Sequence, residues 1–498
     1  MEESENFIKI PNKYMVGNPI KTEEMFFGRN NDFAIIRDWI YDGYKVILLK
    51  GGRRSGKTSI LYQINNGRLS DTTETVFCDF YNICPQLEKD EDLPYHIAIT
   101  ILRSEIFSDL KEEFQKNSGS MNAALGKLIR ICLRKIAPKK LILLCDEYEA
   151  LENNFSIGNL SSNSLTWFDD IKSLDVCFVM TGSKDFNHSK YLSPKFSPVS
   201  IMLEVNTLTK PDAMNLILKP IEGYLDYRED TAEKIYRLTG GHPFYTQYVC
   251  QSLVSHINAT LKRNFVKPDD LHDVIHFIIR NPAGHIQETW RTFPFNVKHT
   301  IAALARTLNS PEERTRIKAV LQTARKYRFL LVDQDCYEAV SWLKKETSLM
   351  DWESDEIRFN IDIFRYWIER YFQTGEDIEP EDLPKKLIEK PTNQNGKKQI
   401  SAAIVVGIFC ISMFLVFRTL DFQYLPSDDD NLIFQIGDCI RIKKSVTPCA
   451  GWEKGIKGAV GKITHRHEEY LIVDFSFKNQ IIKDYVACPE DLERVPCK

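Results

Sequence analysis

Metal-ligand spacing is missing from this chain. Its 498 residues include 12 cysteines but no C-x-x-C pair. Cys78 and Cys84 have no companion ligands nearby, so neither a zinc site nor a disulfide framework is indicated. An excess of either charge is missing too: the formal net charge is −4, which gives no global sign of nucleic-acid binding. The opening residues, MEESENFIKIPNKYMVG, are acidic and lack an apolar core, so no cleavable signal peptide is expected. Disorder is excluded by 43% hydrophobic against 27% charged residues. The length exceeds one ordinary core and predicts two to four domains.

The most informative stretch is YKVILLKGGRRSGKTSI, beginning at Tyr44. The apolar run Val46–Leu49 breaks into a G-x-x-x-x-G-K-[ST] pattern and then into helix-like residues, the context a phosphate-binding loop requires. Glycines at 51 and 56 let consecutive N–H groups turn inward around phosphates, and the following helix adds its positive end. The phosphate-binding set is Gly51, Gly52, Arg53, Arg54, Ser55, Gly56, Lys57, Thr58 and Ser59. Lys57 would reach the β- and γ-phosphates of ATP or ADP, and the Thr58 hydroxyl would hold Mg2+.

A second anchor is KKLILLCDEYEAL, Lys139 to Leu151. Leu141–Leu144 form a buried strand that ends on two acids at the ligand-bearing edge. Asp146 would hold Mg2+ through water, and Glu147 would polarise the attacking water. A further strand, Val176–Met180, ends in Thr181-Gly182-Ser183; Thr181 is the candidate γ-phosphate sensor, with a plain strand-ending turn as the equal alternative. Strands alternating with helices predict an α/β fold, a P-loop NTPase parallel sheet. The expected organisation is a lead-in (1–24), a P-loop core (25–205), a helical lid (206–275) and a winged helix-like domain (285–375). In the last, Val297–Leu308 and Pro311–Tyr327 read as helices, and Phe329–Val332 and Glu356–Ile361 as strands.

A polar linker (376–399) leads to the one long apolar run, Ile400–Phe417, preceded by Lys397 and Lys398 and followed by Arg418. As a helix it would span roughly 27 Å, enough for a hydrocarbon core. One transmembrane helix (400–418) is therefore expected, with the ATPase side cytoplasmic. Residues 435–498, with short β-prone runs and turn glycines, predict a small all-β barrel. Cys439, Cys449, Cys488 and Cys497 fall there, and their pairing depends on the compartment.

GNPIKTEEMFFGR (17–29), GGRRSGKTSIL (51–61), LILLCDEYEAL (141–151), TGS (181–183), LTGGHPFYTQYVC (238–250) and RFNIDIFRYWIERYF (358–372) occur in that order. Together they resemble the prokaryotic STAND-type P-loop ATPases, relatives of AAA+ proteins, over about residues 15–375. The resemblance implies that Phe27, Gly28 and Arg29 lie by the adenine and that Gly241, His242 and Pro243 of the lid touch the nucleotide. It also implies a slow, regulatory, Mg-dependent ATPase. In such a switch ADP/ATP exchange drives a conformational change or homo-oligomer formation, under a protein trigger. The barrel looks Src-homology-3-like. The alternative is a DNA-binding AAA+-like ATPase using the winged helix, whose helix around Lys318 to Arg328 carries Lys318, Arg325, Lys326 and Arg328. Nucleic acid is the less favoured partner, because a solvated basic face is commoner.

Overall fold

The computed structural model describes residues 7–115, 119–282 and 284–378, and five strands between 439 and 494. It divides into two compact units, Met1–Pro391 and Thr392–Lys498.

The first unit is built on a parallel sheet: β1 (Val46–Lys50), β2 (Thr73–Asp79), β3 (Lys140–Asp146), β4 (Val176–Gly182) and β5 (Ser200–Glu204), in the order β2-β3-β4-β1-β5. The apolar runs of β1, β3 and β4 are explained by burial on both faces. Strand periodicity divides them. Val46, Leu48, Leu141 and Leu143 point into one core with the helices Asp92–Arg103 and Met121–Ile136. Ile47, Leu49, Ile142 and Leu144 point into the other, with Asn30–Tyr41 and Lys57–Asn65. Because all five strands are parallel, Lys50, Asp79, Asp146 and Gly182 end at one edge.

A separate apolar core runs through the helices from 210 to 378. Helices Thr231–Thr239 and Pro243–His256 meet at Gly240-Gly241-His242. Farther on, Phe295–Thr307, Ile317–Lys326 and Asp333–Glu346 pack beside the hairpin Met350–Glu353/Glu356–Phe359, to which Thr315–Arg316 adds a short third strand. The expected strand Phe329–Val332 is corrected here. Leu330 and Val332 are more than half exposed, and the run is a turn that delivers the chain into Asp333–Glu346. The hairpin partner is Met350–Glu353 instead.

The lead-in is ordered by contacts with these helices and with Lys57–Asn65. Ile10 exchanges two hydrogen bonds with Asn258, the Tyr14 hydroxyl donates to Ile217 O at 2.5 Å, and Ile20 N–H donates to Ser59 Oγ at 2.9 Å.

In the second unit, Cys439–Ile442, Val460–Arg466, Leu471–Phe477, Gln480–Ala487 and Leu492–Arg494 form an antiparallel sheet. The last strand pairs back on the first, and the pairings described do not close a barrel. The expected transmembrane segment, 400–418, lies outside the described residues. Among the described residues no helix is long and apolar enough to cross a membrane.

Candidate functional site

The loop between β1 and the helix Lys57–Asn65 is held from both sides. Gly51 N–H donates to Gly182 O at 3.1 Å, and Val205 N–H to Lys50 O at 2.6 Å. Gly56 turns the loop at φ 100° into the helix. Lys57 is buried, and its ammonium donates to Gly51 O and Gly52 O, both at 2.9 Å. Burial pushes its pKa down, against the fields of Glu147, Glu149 and Asp146.

The acids face this loop. Asp146 Oδ1 accepts from the Thr58 hydroxyl at 3.1 Å and from the Thr181 hydroxyl at 2.5 Å. Burial raises the Asp146 pKa, while these two bonds and Lys57 oppose the rise. A hydroxyl and a carboxylate this close fit an octahedral cation that keeps most of its water, as Mg2+ does. An under-compensated buried carboxylate favours such a cation. Thr58 would hold Mg2+ directly and Asp146 through water, and the ion would neutralise phosphate charge.

Glu147 adopts a left-handed conformation, φ 56°, in which its N–H donates to Thr181 Oγ1 at 3.0 Å. Its side chain lines the cavity in front of the loop, and burial raises its pKa. Thr181 is fully buried and its hydroxyl is spent on Asp146 and Glu147. Its hydroxyl contacts are thus with the two acids.

Two cavities flank the loop. One, about 270 Å³, is lined by Gly17–Ile20, Arg54, Gly56–Ser59, Glu147, Pro243 and Gln247, and beside it a pocket of about 40 Å³ holds Phe27, Arg29 and Leu208. A larger cleft of about 1070 Å³ shares Arg53, Lys57 and Glu147 with the first cavity and is also lined by Gly52, Glu149, Lys184, His242, His285 and Trp342. The expected adenine and lid residues thus divide. Arg29 and Pro243 fall with the smaller cavities, His242 with the large cleft.

Arg29 is a clamp more than a free ligand: its buried guanidinium bonds Ser55 O at 3.1 Å and Asn206 O at 2.5 Å. Gly28, at φ 75°, packs so tightly on Asp212 that a Cβ would lie 2.5 Å from its carboxyl carbon, which admits no other residue without displacement. Ser59 anchors the lead-in through Ile20, whereas Ser55 Oγ is buried with no hydrogen-bond partner among the described residues. Arg54 stacks its guanidinium on Phe244, 4.6 Å from the ring centroid.

Three residues here had no assigned role in the sequence. Glu149 Oε1 accepts from Ser183 N–H and, at 2.9 Å, from its hydroxyl, and at 3.2 Å from Lys184 N–H, fixing the turn after β4. Glu288 pairs with Arg53. His285 packs on Phe244 at 5.0 Å. The D-E-x-E spacing could have flagged Glu149; nothing local marks the other two.

The strand order, the loop and the paired acids at one edge define a P-loop NTPase. Residues 115–310 match the family model described as Novel STAND NTPase 2, a segment that holds both acids and the lid but begins after the loop. This chain is thus similar to STAND NTPases over that segment. No curated protein matches it in sequence. Among solved structures, a Walker-type ATPase of Pyrococcus abyssi is 16% identical, covering 71% of this chain and 99% of its own, with TM-score 0.49. A STAND protein with a tetratricopeptide repeat sensor from Pyrococcus horikoshii is 14% identical over 72% of this chain and 44% of its own, TM-score 0.30. The ORC1 protein of Aeropyrum pernix, in complex with DNA, is 14% identical over 69% and 92%, TM-score 0.35. These likenesses are loose, and the P-loop architecture rests on the strand order and the loop themselves.

Proposed function

We propose that this protein is an ATP-binding, slowly ATP-hydrolysing switch of STAND type that is tethered to a membrane. The observation that carries it is the Thr58–Asp146 hydrogen bond beside Lys57 and Glu147, which joins phosphate binding, cation binding and water activation at one sheet edge. Lys57 would leave the loop carbonyls for the β- and γ-phosphates, exchanging neutral acceptors for charged ones. Glu147, lining the cavity in front of the loop, would orient and polarise the attacking water. Because the γ-phosphate is the difference between ATP and ADP, its contacts would bias lid against core and drive the change of shape or assembly. The apolar run 400–417 supports the tether, with the ATPase on the cytosolic side where ATP is found.

The test is ATP turnover by the purified full-length chain beside Lys57→Ala and Glu147→Gln, with oligomer size followed in parallel. Turnover lost in both, with ATP-dependent assembly persisting in Glu147→Gln, is the expected result. No nucleotide binding by the parent would sink the reading. Alkaline extraction of cell membranes tests the tether: release of the chain into the soluble fraction would refute it.

A further inference from the structure

The phosphate-binding loop carries two consecutive arginines with different fates. Arg54 is packed: φ 61° turns it onto Phe244. Arg53 is 61% exposed, and its described partner is Glu288, itself 47% exposed, on the helix Gly284–Thr292. Arg53 and Glu288 line both the cavity in front of the loop and the large cleft beyond it. A carboxylate at the mouth of a phosphate site repels the anion, and this one also occupies a cation the anion would use.

We propose that Glu288 tunes nucleotide affinity by competing with the phosphates for Arg53. The inference rests on the reading that the loop binds ATP. When a polyphosphate enters, Arg53 exchanges the carboxylate for phosphate oxygens, a bidentate and more highly charged acceptor, and Glu288 is released. The release has a receiver. Two residues along the same helix, Trp290 stacks on Phe372 with centroids 4.1 Å apart and packs on Trp367 at 5.9 Å. His285, one turn earlier, packs on Phe244 and Tyr245 of the lid. One helix therefore touches the loop, the lid and the aromatic core around the hairpin. Because the ion pair is solvent-exposed it acts as a bias on affinity, not as a lock.

The test is a double-mutant cycle on the full-length chain, with ATP, ADP and inorganic tripolyphosphate as titrants. Glu288→Gln is isosteric at a half-exposed position, so folding is expected to be kept. It should tighten ATP and tripolyphosphate by about three- to fivefold, with a smaller gain for ADP and the gain shrinking as salt is raised. Glu288→Lys should tighten both further. In an Arg53→Ala background the Glu288→Gln gain should shrink to the smaller part that comes from direct repulsion of the anion. Unchanged or weaker binding in Glu288→Gln, or an equal gain without Arg53, overturns the proposal while leaving the nucleotide reading intact. A parent that binds no ATP, or whose binding survives Lys57→Ala, overturns both.

Discussion

Thr181 donates its hydroxyl proton to Asp146 at 2.5 Å and accepts the N–H of Glu147 at 3.0 Å. One buried oxygen thereby sets both acids of the site. Its removal leaves the Glu147 N–H without its acceptor and Asp146 with one donor fewer, at a cost on the order of 1–3 kcal/mol. Thr181→Val should lower ATP turnover by about 10- to 100-fold with nucleotide affinity changed little. Equal losses in affinity and turnover would instead make Thr181 a nucleotide contact.

The lid joins the hairpin unit through Gly240. Its φ is 57°, and a Cβ there would lie 2.3 Å from the backbone oxygen of Asn360. Backbone cannot rotate away as a side chain can. Gly240→Ala should destabilise the first unit by roughly 2–4 kcal/mol, read by denaturant unfolding of the full-length chain. A loss below about 1 kcal/mol would show that the two elements separate without cost.

Acid should weaken the fold through two histidines. Burial, with His285, Arg29 and Lys57 adding to it, pushes the His242 pKa down to about 3, and burial beside Arg54 and Arg53 brings His285 also to about 3. Unfolded, each titrates near about 6.5. The unfolded chain therefore binds more protons between those values, and stability falls as pH drops below about 6.5, by up to about 1.4 kcal/mol per histidine per pH unit. Asp146 and Glu147, raised by burial, act in the opposite sense. Denaturant unfolding at pH 7, 6 and 5 should show a shallower loss for His285→Gln than for the parent; identical slopes would refute the assignment.

Duplex DNA should not bind through the helices near the hairpin. In a helix-turn-helix arrangement the second helix enters the groove, and here that helix is Asp333–Glu346, not the basic Ile317–Lys326. It carries Asp333, Asp335, Glu338 and Glu346 against Lys344 and Lys345. The hairpin adds Asp351, Glu353, Asp355 and Glu356 against Arg358, and Glu338, Trp342 and Lys345 line the cleft before the phosphate loop. No mobility shift is expected even at about 50 mM salt, where phosphate contacts are strongest. A shift that weakens steeply with salt would restore the DNA-binding alternative.

The sheet and the loop were legible because their signals are local. Val46–Leu49 and Leu141–Leu144 are uninterrupted apolar runs, and the loop's glycines and lysine sit at fixed offsets. Asp333–Glu346 was missed because its buried stripe is narrow, only Cys336, Ala339 and Leu343. Its acids in the first turn and lysines in the last were the available cue. Phe329–Val332 misled by being apolar while partly exposed. Ile10 and Tyr14, in the lead-in, are buried by helices more than 200 residues later. The Arg53–Glu288 pair spans a similar separation. No periodicity encodes it.

Glu288 and Trp290 are separated by about 200° around their helix and about 3 Å along it. Rolling this short axle would carry the carboxylate and the indole in opposite lateral directions, while sliding it would shear the indole across the Phe372 ring. A pull on Glu288 at the phosphate loop would therefore reach the Trp290–Phe372 contact by either motion.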